Sequence, residues 1–332
     1  MLKYLVILLD DKSTSFCHYD NSDVGGRRIS IDDLKAGILY AMKENLMIQF
    51  VYPDYEMPND CKQAINAIDH TVIVSTDCED SALTDDADVV VMHGWAAFEK
   101  MRFNGDASYV LRTTKADLFD RYQLLEGLLG KVTRLNVVIT DVESFTEDDF
   151  EKYKSVLSSL SATIERLHTE GKTPQLNLLT DRMMLDSMNN CNAGWETVTL
   201  APDGKFYVCP AFYYVGKADG NETSLGAVCN KGYSIGDLAT GLDIKNPQLY
   251  RLDHAPICRN CDAYQCKRCI WLNRKTTWEV NTPSHEQCVV AHLERNASRL
   301  LLNSIRKNGA FLPQMAEIKE IDYLDPFDKI EK

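Results

Sequence analysis

The sequence predicts an α/β protein in which a partial (β/α) barrel is followed by a small cysteine-rich domain with a β-hairpin. In the first half, short apolar runs typical of buried strands alternate with segments of helical periodicity. After residue 186 the composition changes, and eight of the eleven cysteines lie between 191 and 288. We therefore expect a barrel domain at 1–186, a cysteine-rich domain at 187–300 and a C-terminal tail at 301–332.

The order of the elements predicts a parallel sheet, because strands and helices alternate along the chain. The predicted strands cover 3–9, 47–52, 70–75, 88–94, 109–114, 134–141 and 175–181. The predicted helices cover 31–46, 59–68, 115–130 and 146–172, with Ser30 and Thr146 as N-caps. Eight complete β/α units do not fit in about 185 residues, since a full barrel needs roughly 250. The barrel is therefore partial or the sheet open.

The second half begins with a hairpin signal and ends with a helical one. The stretch WETVTLAPDGKFYVCPAF has alternating strand residues on either side of a Pro-Asp-Gly turn at 202–204. A helix is predicted at 284–307, after an irregular cysteine-dense segment.

Charge and hydropathy disfavour nucleic acid and membranes as binding partners. The formal net charge is −13, which disfavours binding to nucleic acid or to an anionic membrane surface. No apolar run approaches the roughly 18 residues of a membrane span, and the first residues lack a cleavage pattern, so we expect a cytoplasmic protein. The cytosol keeps thiols reduced, so clustered cysteines there indicate metal binding rather than disulfides.

The spacing of the cysteines indicates a metal centre. Cys258 and Cys261 form one C-x2-C pair, and Cys266 and Cys269 form a second pair four residues later. Such pairs direct two soft thiolates at one ion or cluster. Zinc ribbons usually separate their pairs by about 15–20 residues, so the spacing favours iron–sulfur over zinc, which remains the alternative. Four more cysteines surround the pairs in sequence: Cys191, Cys209, Cys229 and Cys288.

This array, with CNAGWETVTLAPDGKFYVCPAF before it and SIGDL at 234–238, resembles the SPASM domain of peptide-modifying radical SAM enzymes. The resemblance implies auxiliary 4Fe-4S clusters. It assigns one cluster to Cys258, Cys261, Cys266 and Cys288, and a second to Cys191, Cys209 and Cys269, with Cys229 as a candidate fourth ligand. The sequence departs from the pattern in having x4 and x2 where the family has x5 and x3, which leaves the allotment of Cys266 and Cys269 open.

Radical SAM enzymes carry a C-x3-C-x2-C loop after the first strand, whose cluster binds S-adenosylmethionine. The stretch STSFCHYD has that spacing at Ser13, Cys17 and Asp20, and only the middle position is cysteine. One thiol with oxygen partners is a poor cubane site. The family's glycine-rich motif after the second strand is also missing from VYPDYEMP at 51–58. Cys17 is therefore expected to ligate no cluster, and S-adenosylmethionine is not expected.

Several other residues have weaker signals. His254 and His285 lie near cysteines and could complete a cluster, but we interpret them as polar neighbours. His93 is interpreted as a strand-end histidine with satisfied hydrogen bonds, Cys61 and Cys78 as ordinary thiols, and Asp10, Asp11 and Asp20 as solvated charges. The sequence contains no P-loop, no G-x-S-x-G and no H-E-x-x-H motif.

The opening KYLVILLDD, the stretch FVYPDYEMP and the SPASM-like end together resemble the CXXX repeat peptide maturase family. The resemblance implies an accessory protein that helps to mature a cysteine-repeat ribosomal peptide beside a radical SAM partner, by presenting substrate or passing electrons. Two alternatives stay open. One is a stand-alone enzyme that uses an open site on an incomplete cluster, and the other is a zinc-stabilised peptide-binding scaffold.

Overall fold

The structure is a computed structural model that describes residues 2–21, 25–99, 101, 103–188, 190–218 and 233–309. The strands are β1 (Tyr4–Leu8), β2 (Met47–Val51), β3 (Thr71–Ser75), β4 (Val89–His93), β5 (Ser108–Thr113), β6 (Arg134–Ile139), β7 (Gln175–Leu176), β8 (Thr197–Leu200), β9 (Lys205–Tyr207), β10 (Ser234–Asp237) and β11 (Gly241–Leu242). The helices are α1 (Ile31–Glu44), α2 (Asn59–Asn66), α3 (Ser81–Asp85), α4 (Lys115–Leu129), α5 (Glu147–Thr169), α6 (Asp181–Met184), α7 (Pro210–Ala218), α8 (Ile270–Thr277) and α9 (His285–Lys307).

The chain forms two compact units, each built from two stretches of sequence. Unit 1 comprises Met1–Met101 and Cys191–His254, and unit 2 comprises Arg102–Asn190 and Ala255–Lys332. Residues 187–300, expected to form one domain, are thus divided between the units. Helix α9 also continues past position 301 to Lys307, and residues 310–332 of the expected tail lie outside the described part of the chain.

Unit 1 is organised around a sheet with the strand order β11-β10-β9-β8-β1-β2-β3-β4. The four strands β1 to β4 pair in parallel in sequence order, as expected for alternating β/α units. The predicted hairpin is present as the antiparallel pair β8 and β9, and Gly204 adopts φ +76° in its turn. Strand β8 also pairs in parallel with β1, so that Leu5 lies opposite both Ile48 and Val198. The hairpin therefore extends the first strand's sheet.

Unit 2 combines three parallel strands with the long helices α5 and α9. Strand β6 pairs in parallel with β5 and with β7. The predicted caps are present in both units: the Ser30 hydroxyl accepts the Asp33 N–H at 3.0 Å, and Thr146 forms a capping box with Asp149. Ser284 caps α9 by accepting the Gln287 N–H at 3.3 Å.

The strand predicted at 175–181 is wrong in length, since β7 contains only two residues. The Leu176 N–H donates to the Thr180 hydroxyl at 2.7 Å, which turns the chain back on itself. The Asn177 side chain continues the ladder in place of backbone. Its Oδ1 accepts the Val137 N–H at 2.7 Å, and its Nδ2 donates to the Val137 carbonyl at 2.9 Å. An amide side chain that mimics the backbone ends the strand early.

Candidate metal centre

A pocket in unit 2 gathers four of the predicted cysteine ligands. Its walls include Cys258, Cys261, Cys266 and Cys288, and its cavity volume is about 50 Å³. By that measure about 10–15 Å³ holds one water molecule, so the pocket has room for more than a single bare ion. A set of four soft thiol donors around such a space suits iron–sulfur chemistry or zinc.

The turns after the second and third cysteines hold their sulfurs in the same way. The Ala263 N–H donates to Cys261 Sγ at 3.4 Å, and the Arg268 N–H donates to Cys266 Sγ at 3.4 Å. Hydrogen bonds from backbone N–H groups favour the charged form of an acceptor, here the thiolate that binds metal. Two successive turns therefore each direct a backbone N–H at a cysteine sulfur that lines the pocket.

The fourth cysteine comes from a helix. Cys288 lies in the first turn of α9, and its N–H donates to the Ser284 carbonyl at 3.2 Å. The positive end of the helix dipole stabilises negative charge in that turn. The sequence places this residue 19 positions after Cys269, and the fold returns it to the pocket.

Burial opposes ionisation of two of the four thiols, Cys258 and Cys266. It raises the pKa of Cys258 to about 11, against the lowering effect of the Arg268 guanidinium. Burial also raises the pKa of Cys266 well above its usual value. Arg268 lines the same pocket and is itself buried. Metal binding must therefore displace protons, and a buried cation nearby favours the anionic thiolates that result.

A buried ionic cluster anchors the loop that carries Cys261. Asp262, the next residue, accepts hydrogen bonds from Arg182 at 2.9 Å and from Arg295 at 3.0 Å. Burial disfavours the charged carboxylate, but Arg295 and Arg182 outweigh it and lower the pKa of Asp262. Arg182 lies on α6 and Arg295 on α9, so both helices hold the first cysteine pair in place.

His292 is a pocket residue that the sequence reasoning missed. It lines the pocket, and its Nε2 is 3.5 Å from Cys261 Sγ. The available signal was the spacing Cys288-x3-His292, since residues four apart on a helix lie on the same face.

The second predicted ligand set stays a prediction. Cys191 is exposed and Cys209 half-buried in unit 1, whereas Cys269 is the half-buried N-cap residue of α8 in unit 2. Cys229 lies outside the described residues. Across the described ranges, no three His, Cys, Asp or Glu side chains are drawn together tightly enough to form a ready-made site for one ion.

Four residues with weaker sequence signals contact near neighbours and are not among the residues that line the pocket: His254, His285, Cys61 and Cys78. The His254 ring is 3.1 Å from Asp253 Oδ1 in unit 1, and His285 packs edge-on against Phe150 in unit 2. Cys61 is buried and Cys78 half-buried, both in unit 1.

The loop with radical SAM spacing is filled with internal hydrogen bonds. Ser13 is completely buried, and its hydroxyl donates to the Val51 carbonyl at 2.7 Å and accepts the Asp10 N–H at 3.0 Å. Thr14 Oγ1 is 2.8 Å from His93 Nε2, as expected for a strand-end histidine with a partner. Cys17 is half-buried and Asp20 exposed. Ser13, at the first motif position, thus links the end of β1 to the end of β2 through its hydroxyl.

The expectation that Asp10 and Asp11 are solvated is wrong. Both are almost completely buried. Asp10 accepts the Tyr55 hydroxyl at 2.6 Å, and Asp11 accepts a short hydrogen bond from the Tyr213 hydroxyl. Tyrosines from the β2 end and from α7 compensate the charges, which explains how carboxylates can be buried at the end of β1.

The chain is similar in structure to anSMEcpe. The native enzyme with bound AdoMet matches at a TM-score of 0.60 and 10% identity, covering 92% of this chain and all of that one. The structure with bound AdoMet and Cp18Cys peptide matches at a TM-score of 0.57 and 11% identity, covering 92% and 100%. The fold is radical-SAM-like. The predicted fold class, an α/β chain with a parallel sheet, is thereby confirmed.

Sequence comparisons assign this chain to no family. No family model matches the chain, and no curated protein matches it in sequence. At 10–11% identity the structural likeness concerns the fold alone. In the described part of the chain, no helix is both long and apolar enough to cross a bilayer.

Proposed function

We propose that this protein is an accessory maturation factor for a cysteine-repeat ribosomally made peptide, as in the CXXX repeat peptide maturase family. It binds a 4Fe-4S cluster in the unit 2 pocket and serves a radical SAM partner by presenting the peptide or passing electrons. The observation that carries the proposal is the convergence of Cys258, Cys261, Cys266 and Cys288 on one cavity. A bound cluster supplies one-electron transfer.

The peptide part of the proposal is supported by the structural neighbours. Two anSMEcpe structures contain bound peptides, Cp18Cys and Kp18Cys. The present chain has the same fold class, and it exposes Ile257 beside the cysteine pocket. A cysteine-containing peptide is the substrate class that fits these relatives.

The accessory part is supported by the loop at 13–20. A radical cluster needs three thiolates there, and Ser13 instead bridges the Asp10 N–H and the Val51 carbonyl from a fully buried position. A ligand at that position would break both hydrogen bonds. We therefore propose that S-adenosylmethionine is not a cofactor of this chain and that Cys17 ligates no metal.

The test is metal analysis of anaerobically purified full-length protein. We expect iron and sulfide with a broad visible absorption, lost in Cys261→Ala and Cys288→Ala. Cys78→Ala and Cys17→Ala are the matched controls and should retain the iron. Loss of iron in Cys17→Ala, with retention in Cys261→Ala, would place the cluster in the wrong unit and contradict the proposal.

A second candidate is the zinc-stabilised scaffold, favoured by the 3.5 Å separation of Cys261 Sγ and His292 Nε2. Two ligands of one tetrahedral zinc lie about that far apart, given bonds of about 2.3 and 2.0 Å. Zinc without iron or sulfide would support the scaffold and rule out electron transfer. Peptide conversion by this protein alone would instead favour the stand-alone enzyme.

A further inference from the structure

His292 is a buried histidine that lines the pocket beside Cys261. It lies on α9, only 8% exposed, with Nε2 3.5 Å from Cys261 Sγ. Cys288 is one turn earlier on the same helix, and both side chains line the cavity. One helix face therefore brings a thiol and an imidazole to the same space.

The distance alone is compatible with two roles. An N–H···S hydrogen bond fits 3.5 Å, and so does ligation of one zinc by both residues. The number of donors decides between them. Four cysteines line the same pocket, and a 4Fe-4S cluster takes four thiolates, so the imidazole has no ligand position to fill.

We propose that His292 is a positioning residue that donates a hydrogen bond from Nε2–H to the Cys261 thiolate and so raises the reduction potential of the cluster. The inference rests on the proposed iron–sulfur function. The reduced cluster places more negative charge on its sulfurs, so a donor stabilises the reduced state more than the oxidised state. Hydrogen bonds to the sulfurs are an established determinant of cluster potentials.

The local structure fixes the positions of the His292 imidazole and the Cys261 sulfur relative to each other. Cys261 Sγ already accepts the Ala263 N–H at 3.4 Å, which fixes one side of the sulfur. Asp262 ties the adjacent backbone to Arg295, which is three residues after His292 on α9. The loop and the helix cannot separate without breaking this buried ion pair. The ion pair therefore keeps His292 and Cys261 in contact.

The test compares three substitutions in the anaerobic full-length protein. His292→Leu and His292→Phe remove the donor while filling the space, and His292→Gln keeps an N–H donor. His285→Leu, on the same helix but outside the pocket lining, is the matched control. Iron and sulfide per chain, the absorption spectrum and the midpoint potential from a redox titration are measured for each.

We expect His292→Leu and His292→Phe to retain the iron and to lower the midpoint potential. We expect His292→Gln to keep the potential close to the wild-type value and His285→Leu to leave it unchanged. An unchanged potential in His292→Leu and His292→Phe with full iron content overturns the hydrogen-bond role. Equal loss of iron in His292→Leu, His292→Phe and His292→Gln, with His292→Gln folded by circular dichroism, makes His292 a ligand and also overturns the hydrogen-bond role. Wild-type protein without iron overturns the proposed function as well, so the two failures are distinguishable.

Discussion

Tyr153 donates a hydrogen bond from its hydroxyl to Glu294 Oε1 across 2.8 Å, and this buried contact joins α5 to α9 within unit 2. Burial raises the pKa of Glu294 to about 7, although the Tyr153 and Gln265 hydrogen bonds act in the opposite direction. In the unfolded chain the pKa of a glutamate is about 4.3. The packing of the two longest helices is therefore coupled to the protonation of one carboxyl.

The first prediction concerns the pH dependence of stability. Between about pH 4 and 7 the folded state binds the Glu294 proton more tightly than the unfolded state, so stability falls as pH rises through that window. The shift corresponds to about 4 kcal/mol. We expect Glu294→Gln to be more stable relative to wild type at pH 8 than at pH 5, in urea unfolding. Glu151→Gln on the exposed face of α5 is the control, and an equal difference at both pH values would contradict the prediction.

The second prediction concerns the buried pair of Arg182 and Asp262. Both side chains have no exposed surface, and removing one partner leaves an uncompensated buried charge. We expect Asp262→Asn to lower the free energy of unfolding by about 3–5 kcal/mol. Because the folded-state pKa of Asp262 is lowered, the stability it contributes is present at neutral pH and lost as pH falls.

Urea unfolding at pH 7 measures this cost, with Asp253→Asn as the matched control. Asp253 also pairs with an arginine, Arg251, but on the exposed surface of unit 1. Its substitution should change stability little, since surface pairs are screened by water and salt. Similar losses for the two variants would show that burial of Asp262 is not the cause.

Local features made the fold predictable from the sequence. Buried strands such as β1 and capped helices such as α5 have patterns that extend over a few residues. The pairing of β1 with β8 was not predictable, because Leu5 and Val198 are far apart in the chain and no local rule joins them. The early end of β7 depends on a single amide, Asn177, that substitutes for backbone in the ladder.

The candidate site, like the fold, was predictable in its local sequence patterns and not in its long-range contacts. The C-x2-C spacing at Cys258 and Cys261 indicated soft-metal chemistry, and those thiols do line one cavity. The groups that contact the loop that carries Cys261 come from elsewhere in the chain: Arg182 from α6 and His292 from α9. Long-range charge pairing brings in Arg182 and leaves no spacing pattern in the sequence, whereas the spacing Cys288-x3-His292 places His292 on the helix face of a predicted ligand.

The third prediction concerns the hydroxyl of Ser13. It accepts the buried Asp10 N–H and donates to the Val51 carbonyl, so Ser13→Ala leaves the Asp10 N–H without its acceptor and the Val51 carbonyl with the Leu9 N–H alone. We expect a loss of about 1–3 kcal/mol in the free energy of unfolding. Ser144→Ala, which removes an exposed hydroxyl bonded to the Asp141 carbonyl, is the control. A loss no larger than that of the control would contradict a structural role for Ser13.

The fourth prediction concerns the reactivity of Cys258 in protein freed of metal. Burial raises the pKa of this thiol to about 11. Alkylation requires the thiolate, whose fraction at pH 8 would be about 10⁻³, against about a quarter for a thiol of pKa 8.5. We expect iodoacetamide to modify Cys258 on the order of 10²-fold more slowly than a free cysteine, measured by peptide mass spectrometry.

The pH profile separates ionisation from simple inaccessibility. Restricted access lowers the rate equally at every pH, whereas a raised pKa makes the rate climb about tenfold per pH unit up to about pH 11. The exposed Cys191 in the same sample is the internal comparison. A Cys258 rate that levels off near pH 9 would mean that burial does not control its ionisation. A continued rise to pH 11 would mean that the metal-free pocket holds this sulfur as a thiol and that metal binding must displace its proton.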